Sequence, residues 1–282
     1  MGTKKLLLLA VVVAALGAGY YFWQSQPAPL PPPVAEVPPP PALPAEPPVP
    51  PEPVERYPLT VAEPTEKAEP VDVDRGEARY AKALGALFGK KILSGYFYPE
   101  RMIRRFVATI DNLPRQEAPA AMMPVKPVGG AFLVERDESG LRIAPANDQR
   151  YARYLAIMSG VDAKRLVDTY VGLYPLFQQA YRELGYPTGF FNDRLVEAID
   201  NLLATPDVAP PLALVQPKVL YKYADPALEG RSAGQKIMLR LGADNRTKAK
   251  QVLTAIRAEL LSRSPPRPQG TTDHLKANEN RY

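Results

Sequence analysis

The side chains able to do chemistry in this 282-residue chain are carboxylates, lysines, arginines and tyrosines. It has no cysteine, and its one histidine, His274, sits in a polar tail among Asn and Lys. Histidine-activated nucleophiles and zinc sites of the usual kind therefore lack their parts. No Ser-x-x-Lys, Gly-x-Ser-x-Gly or Gly-x-x-x-x-Gly-Lys occurs, which counts against penicillin-binding, α/β-hydrolase and P-loop chemistry. Asp72-Val73-Asp74 starts like a calcium loop but lacks the remaining ligands, so a helix lead-in is expected there. No cofactor and no metal is implied.

Two carboxylates repeat a context: Ile110-Asp111-Asn112-Leu113 recurs as Ile199-Asp200-Asn201-Leu202. Asp111 and Asp200 could divide acid and base work on a glycan if their environments pushed their pKa values apart. The ordinary use of Asp-Asn at a helix end is to satisfy exposed backbone groups. The repeat holds no fixed period, so a solenoid is not supported. The basic residues Arg104, Arg105, Lys126, Arg194, Lys218 and Lys222, with Tyr221 and Tyr223 interleaved, are suited to an anionic ligand. The candidate binding surface is Arg104, Arg105, Asp111, Lys126, Asp193, Arg194, Lys218 and Tyr221. Against it stands the commoner role of such residues as solvated faces or as ion pairs with Asp111 and Asp193.

The elements that must position these residues are mostly helices. One short helix spans 78–88 and closes at Gly89. A second starts at Tyr98-Pro99 with Met102, Ile103, Phe106, Val107 and Ile110 on one face, and stops at Pro114. Residues 131–135 and 141–143 read as a β-hairpin across Ser139-Gly140. Asn147 or Asp148 caps a helix ending at Gly160, and Asp162 caps a longer one to Leu184-Gly185, kinked at Pro175. A helix over 193–204, extended runs at 212–216 and 219–223, and helices over 233–241 and 244–261 complete a fold that is mainly α with minor β.

Residues 72–262 suit one domain, large enough to bury its own core. Ahead of it, 18 of the 44 residues from 27 to 70 are proline, which excludes helix and sheet and makes 24–71 a disordered, extended linker. In polyproline II form the 44 residues would reach roughly 135 Å. Its seven Glu face only Arg56 and Lys67, and the self-repulsion favours extension. Residues 1–5 carry Lys4 and Lys5, followed by the uncharged stretch 6–23 ending in Tyr20-Tyr21-Phe22-Trp23. This is expected to be a transmembrane helix with a cytoplasmic N-terminus, so the lipid bilayer is the first partner. A cleaved signal peptide is the rival, through Ala15, Gly17, Ala18 and Gly19. A TonB-like energy transducer shares anchor and linker, but residues 6–19 carry no polar coupling residue. Residues 263–282 are expected to form a disordered tail.

Six stretches carry a resemblance. Arg104 to Arg115, Pro124-Val125-Lys126-Pro127 with Gly129-Gly130, Leu173 to Phe177, Phe191 to Leu195, Gln216 to Val219 and Ser232 to Lys236 resemble, in order, the signatures of a bacterial domain-of-unknown-function family, number three thousand and fourteen. The resemblance covers roughly residues 75–262 and implies an envelope protein with an N-terminal apolar segment and a proline-rich link; it brings no reaction with it. The expectation is a single-pass protein of the bacterial inner membrane that presents a periplasmic binding or tethering module to an envelope protein or cell-wall polymer. The alternative is a carboxylate-based hydrolase of wall glycan. Nucleic acid is disfavoured as a partner by the exported location.

Overall fold

The structure, a computed structural model, describes residues 54–59, 71–138 and 140–264. The expected membrane segment 6–23, most of the linker and the tail beyond Ser264 lie outside the described residues. Among those described, no helix is long and apolar enough to cross a membrane.

The chain folds as α1 (Val73–Phe88), α2 (Lys90–Tyr96), α3 (Met102–Asn112), β1 (Val134–Asp137), β2 (Gly140–Ile143), α4 (Asn147–Ser159), α5 (Ala163–Glu183), α6 (Phe191–Leu203), β3 (Ala213–Val215), β4 (Lys222–Tyr223), α7 (Pro226–Glu229), α8 (Ala233–Arg240) and α9 (Ala243–Ser262). The four strands form one antiparallel sheet in the order β1-β2-β3-β4. Val134 faces Ile143 across the hairpin, and Leu214 faces Leu141 on one side and Tyr223 on the other. The fold is thus mainly helical with a small sheet. The two expected extended regions join into a single sheet, a pairing that lies between residues distant in sequence.

Local side-chain caps start four of the nine helices among the described residues. The Asp72 carboxylate accepts the N–H groups of Asp74 (2.9 Å) and Arg75 (3.1 Å), so α1 begins five residues before the expected Ala78. Asp162 caps α5 through the Arg165 N–H (2.9 Å), and Ser232 caps α8 through Gln235 (3.1 Å). The helix expected from Tyr98-Pro99 starts instead at Met102, after Arg101 in the left-handed region (φ 53°). Its buried first amides, Met102 and Ile103, donate to Glu77 of α1 at 2.9 and 3.1 Å. A carboxylate 25 residues away does the capping. Pro175 lies on an exposed face of α5, which runs through it as one helix.

The main core packs α1, α3, α5 and α6 together, with Leu260 of α9. Phe177 is its hub, ringed by Tyr80 (5.4 Å, edge-on), Phe106 (5.3 Å), Tyr170 (5.3 Å, stacked) and Phe191 (6.0 Å), in the offset and edge-to-face geometries aromatic quadrupoles favour. A second cluster of Leu212, Leu214, Tyr223, Leu228 and Leu239 lies under the sheet, and Leu155, Met238 and Ala249 form a third. Gly76 lets α1 approach α5: a Cβ there would lie 2.3 Å from a Leu176 methyl.

Because Glu77 is what satisfies the buried start of α3, Glu77→Ala is expected to cost about 2–4 kcal/mol, read as a lowered urea midpoint. Burial raises the Glu77 pKa above its usual 4.5, outweighing the two amides and Arg104, which act the other way. With the folded pKa above the unfolded one, this group's contribution is fully present below the unfolded value and declines as pH rises through the folded one. The gap between wild type and Glu77→Ala should therefore be widest at acid pH and narrow as pH rises.

Candidate binding pocket

Asp111 ends the apolar face of α3 and is 4% exposed, so its charge must be met inside the protein. Its carboxylate accepts Arg115 Nη2 at 2.8 Å, Arg194 Nε at 3.1 Å and the Tyr186 hydroxyl at 3.2 Å. Arg194 also donates to the Asp111 main-chain oxygen, and Arg115 to the Tyr186 hydroxyl. Arg194 reaches Glu197, one turn on, at 2.8 Å. A carboxylate with three donors on it fixes two guanidinium groups and a phenol in place.

Three elements hold this constellation. The turn carrying Arg115 is held by the first amides of α8: Ala233 donates to the Arg115 oxygen (2.6 Å) and Gly234 to the Leu113 oxygen (2.8 Å). Gly234 is required there, since a Cβ would sit 3.0 Å from that same Leu113 oxygen and 2.6 Å from a Leu202 methyl. The loop carrying Tyr186 is held by Gln178 of α5, which donates to the Gly189 oxygen (2.7 Å) and accepts the Phe191 N–H (2.8 Å). Tyr186 stacks on Tyr181 at 4.5 Å and 17°. The start of α6 supplies Asn192, Asp193 and Arg194.

Residues 54–59 close one side. The proline count places them in the linker, yet Tyr57 and Leu59 pack against the main core. Asp193 accepts the N–H groups of Arg56 and Tyr57, both at 2.8 Å, while the fully buried Asn192 donates to the Tyr57 oxygen (2.7 Å) and accepts the Tyr170 hydroxyl (3.2 Å). Two apolar side chains and two side chains aimed at its backbone make this strap part of the domain.

Together these groups line a pocket of about 380 Å³ whose wall includes Asp111, Arg115, Tyr186, Asp193, Arg194 and Glu197. The Arg115 side chain is 48% exposed, against 6% for Asp111 and 15% for Arg194. The charge of Asp111 beside it raises the Arg115 pKa above its usual value, and burial, with the charge of Asp111 adding to it, pushes the Tyr181 phenol up to about 12. The pocket offers fixed donors, a stacked aromatic pair and paired charges. Among the described residues, no group of three or more His, Asp or Glu gathers to hold a metal ion.

Of the eight residues of the candidate surface, Asp111, Asp193 and Arg194 meet here and five do not. Arg104 pairs with Asp74 and Glu183. Arg105 lies over the Tyr98 ring (4.8 Å) and donates to main-chain oxygens, including Glu100 (3.2 Å). Lys126 donates to the Ser94 oxygen (2.8 Å), Lys218 is exposed beyond β3, and Tyr221 packs beside Phe132 (6.2 Å). Charge brought four of these into the expectation and interleaving with them brought Tyr221; the fold gives Arg104, Arg105, Lys126 and Tyr221 neighbours elsewhere and leaves Lys218 on an exposed stretch. Asp200, the second member of the repeated tetrapeptide, pairs with Arg257 and is not part of the pocket wall. Asn201 instead accepts the Ser232 hydroxyl (2.6 Å), steadying α8. The residues the sequence did not single out are Arg115, Tyr186 and Asn192. Arg115 had a signal, four residues after Asp111 on a helix end.

Neither a curated protein nor a solved structure gives a match to this chain. Residues 102–257, more than half of its length, match the family described as Protein of unknown function (DUF3014). That span carries both the Asp111–Arg115 turn and the start of α6, and the chain belongs to that family.

Proposed function

We propose that this chain is a binding module of the bacterial envelope, held in the inner membrane by residues 6–23 with its N-terminus in the cytoplasm and the domain in the periplasm. The domain grips a cell-wall polymer or an envelope protein through the Asp111–Arg115–Arg194 pocket. One observation carries the proposal: a buried carboxylate fixes a half-exposed guanidinium beside a stacked tyrosine pair, at the wall of a pocket large enough for a sugar or a peptide unit. The Arg115 guanidinium is held through Nε and Nη2 by Asp111 and Tyr186, which leaves Nη1 to meet the carboxylates of wall peptides, and aromatic faces suit sugar rings. The cluster of Lys4 and Lys5 before an apolar stretch, and the proline-rich spacer after it, support the location.

The hydrolase alternative has less support. Each carboxylate on the pocket wall is already occupied: Asp111 by two arginines, Asp193 by two main-chain amides and Glu197 by Arg194. Sedimentation of the chain from residue 52 onward with isolated wall sacculi, at low and high salt, tests the proposal. Salt-sensitive pelleting without released sugar is the expected result, and sugar release would favour the hydrolase. A wholly soluble protein would remove the wall polymer and leave an envelope protein, to be sought by crosslinking in intact cells.

A further inference from the structure

The main core encloses a second cavity, of about 290 Å³, between α1, α3, α5, α6 and α9. Close-packed interiors hold few voids larger than one water, and this one is about ten times that size at ~30 Å³ per water. No charged side chain lines it. Of its few polar groups, Thr169 donates to the Arg165 oxygen (2.9 Å) and Tyr170 to Asn192 (3.2 Å), so both have spent their protons within the protein. Such a space rewards only apolar matter.

The cavity runs from the buried Leu195, Ile199 and Leu260 toward half-buried Phe88, Phe97, Pro124 and Val125 and the 44%-exposed Met158. Basic residues adjoin that outer end in the chain: Lys90 and Lys91 after Phe88, Lys126 after Val125, and Arg165 ahead of Leu166. An apolar cavity whose outer lining residues are flanked in the chain by lysines and an arginine has the chemistry of a site for an amphiphile with an anionic head. We infer that this cavity takes the acyl chain of an anionic lipid, with the head group at the lysines. A methylene fills about the space of a water molecule, so the space fits a chain of about ten carbons. This site is separate from the polar pocket and does not rest on the function proposed for it.

Photolabelling of the full chain in nanodiscs of zwitterionic lipid tests the inference. One arm adds diazirine-bearing decanoic acid, and the other builds a diazirine-acyl phosphatidylglycerol into the disc. Peptide mapping is expected to place label on 166–173 of α5 in at least one arm, and which arm tells a free fatty acid from a phospholipid. Ala198→Phe, which fills the cavity, and Met158→Glu, which charges its mouth at an exposed position, should each lower that label about tenfold, equivalent to ~1.4 kcal/mol. No label on α5 in either arm, or label unchanged in the folded Met158→Glu variant, would overturn it.

Discussion

Replacing Asp111 by Ala is expected to lower stability by about 3–5 kcal/mol, a large share of a domain's margin. The carboxylate is nearly fully buried, and its removal leaves the Arg194 guanidinium, itself 15% exposed, inside the protein with only Glu197 and a main-chain oxygen to meet it. Arg115 contributes less, because half of it faces solvent and can be hydrated. Asp111→Asn should fall between, since an amide oxygen still accepts one donor while the charge is gone. If the orphaned guanidinium is the cause, Asp111→Ala combined with Arg194→Met should recover part of the loss. Urea midpoints for the three variants check this, and a cost under ~1 kcal/mol for Asp111→Ala would show the network to be dispensable.

The second large effect is expected at Asn192. This fully buried residue joins the strap to the core by donating to the Tyr57 oxygen and accepting the Tyr170 hydroxyl. Asn192→Ala orphans a buried phenol and releases one of the three main-chain bonds that hold residues 56–57, at a cost of about 2–4 kcal/mol. The strap should then open locally. Hydrogen exchange at the Arg56 and Tyr57 amides, both donors to Asp193, should accelerate about tenfold or more ahead of global unfolding. Unchanged exchange there would mean that the Asp193 bonds and the packing of Tyr57 and Leu59 hold the strap without Asn192.

These two sites also show which parts of the structure the sequence exposes. Helices whose caps are local were legible: Asp162 four residues before Leu166 announced α5, and Gly160 announced the end of α4. The start of α3 was not, because its cap is Glu77 on another helix, and no window of neighbouring residues contains that information. α2, with the sequence Lys-Lys-Ile-Leu-Ser-Gly-Tyr, buries no residue and so carries no periodic pattern. The pairing of β2 with β3 joins Leu141 to Leu214, 73 residues on, where sequence shows only two extended runs.

The pocket was half legible for the same reason. Asp111 and Asp193-Arg194 lie in stretches that resemble family signatures, and their convergence follows from α3 packing beside α6. Which arginines face the pocket depends on partners elsewhere: Arg104 is taken by Glu183 and Asp74, whereas Arg115 has Asp111 one turn away. The Tyr186 loop is set by Gln178, a polar residue inside an apolar stripe. Its burial, with 8% of it exposed, is the signal that a loop is anchored there, and burial is visible only after folding. The strap was hidden by its composition, since prolines on both sides of Arg56-Tyr57 mask two residues whose amides are used.

Wall binding through this pocket is tested most directly by the behaviour of Arg115→Ala with wall sacculi. Arg115 is the half-exposed donor at the pocket wall, and without it Arg194 still meets Asp111, so the fold should persist with a change of no more than ~1 kcal/mol. Pelleting is expected to fall about tenfold, the loss of one charge-assisted contact worth ~1.4 kcal/mol, and the residual binding to be less sensitive to salt. Pelleting equal to wild type by a folded Arg115→Ala protein would contradict the claim that this pocket is where the domain holds a wall polymer.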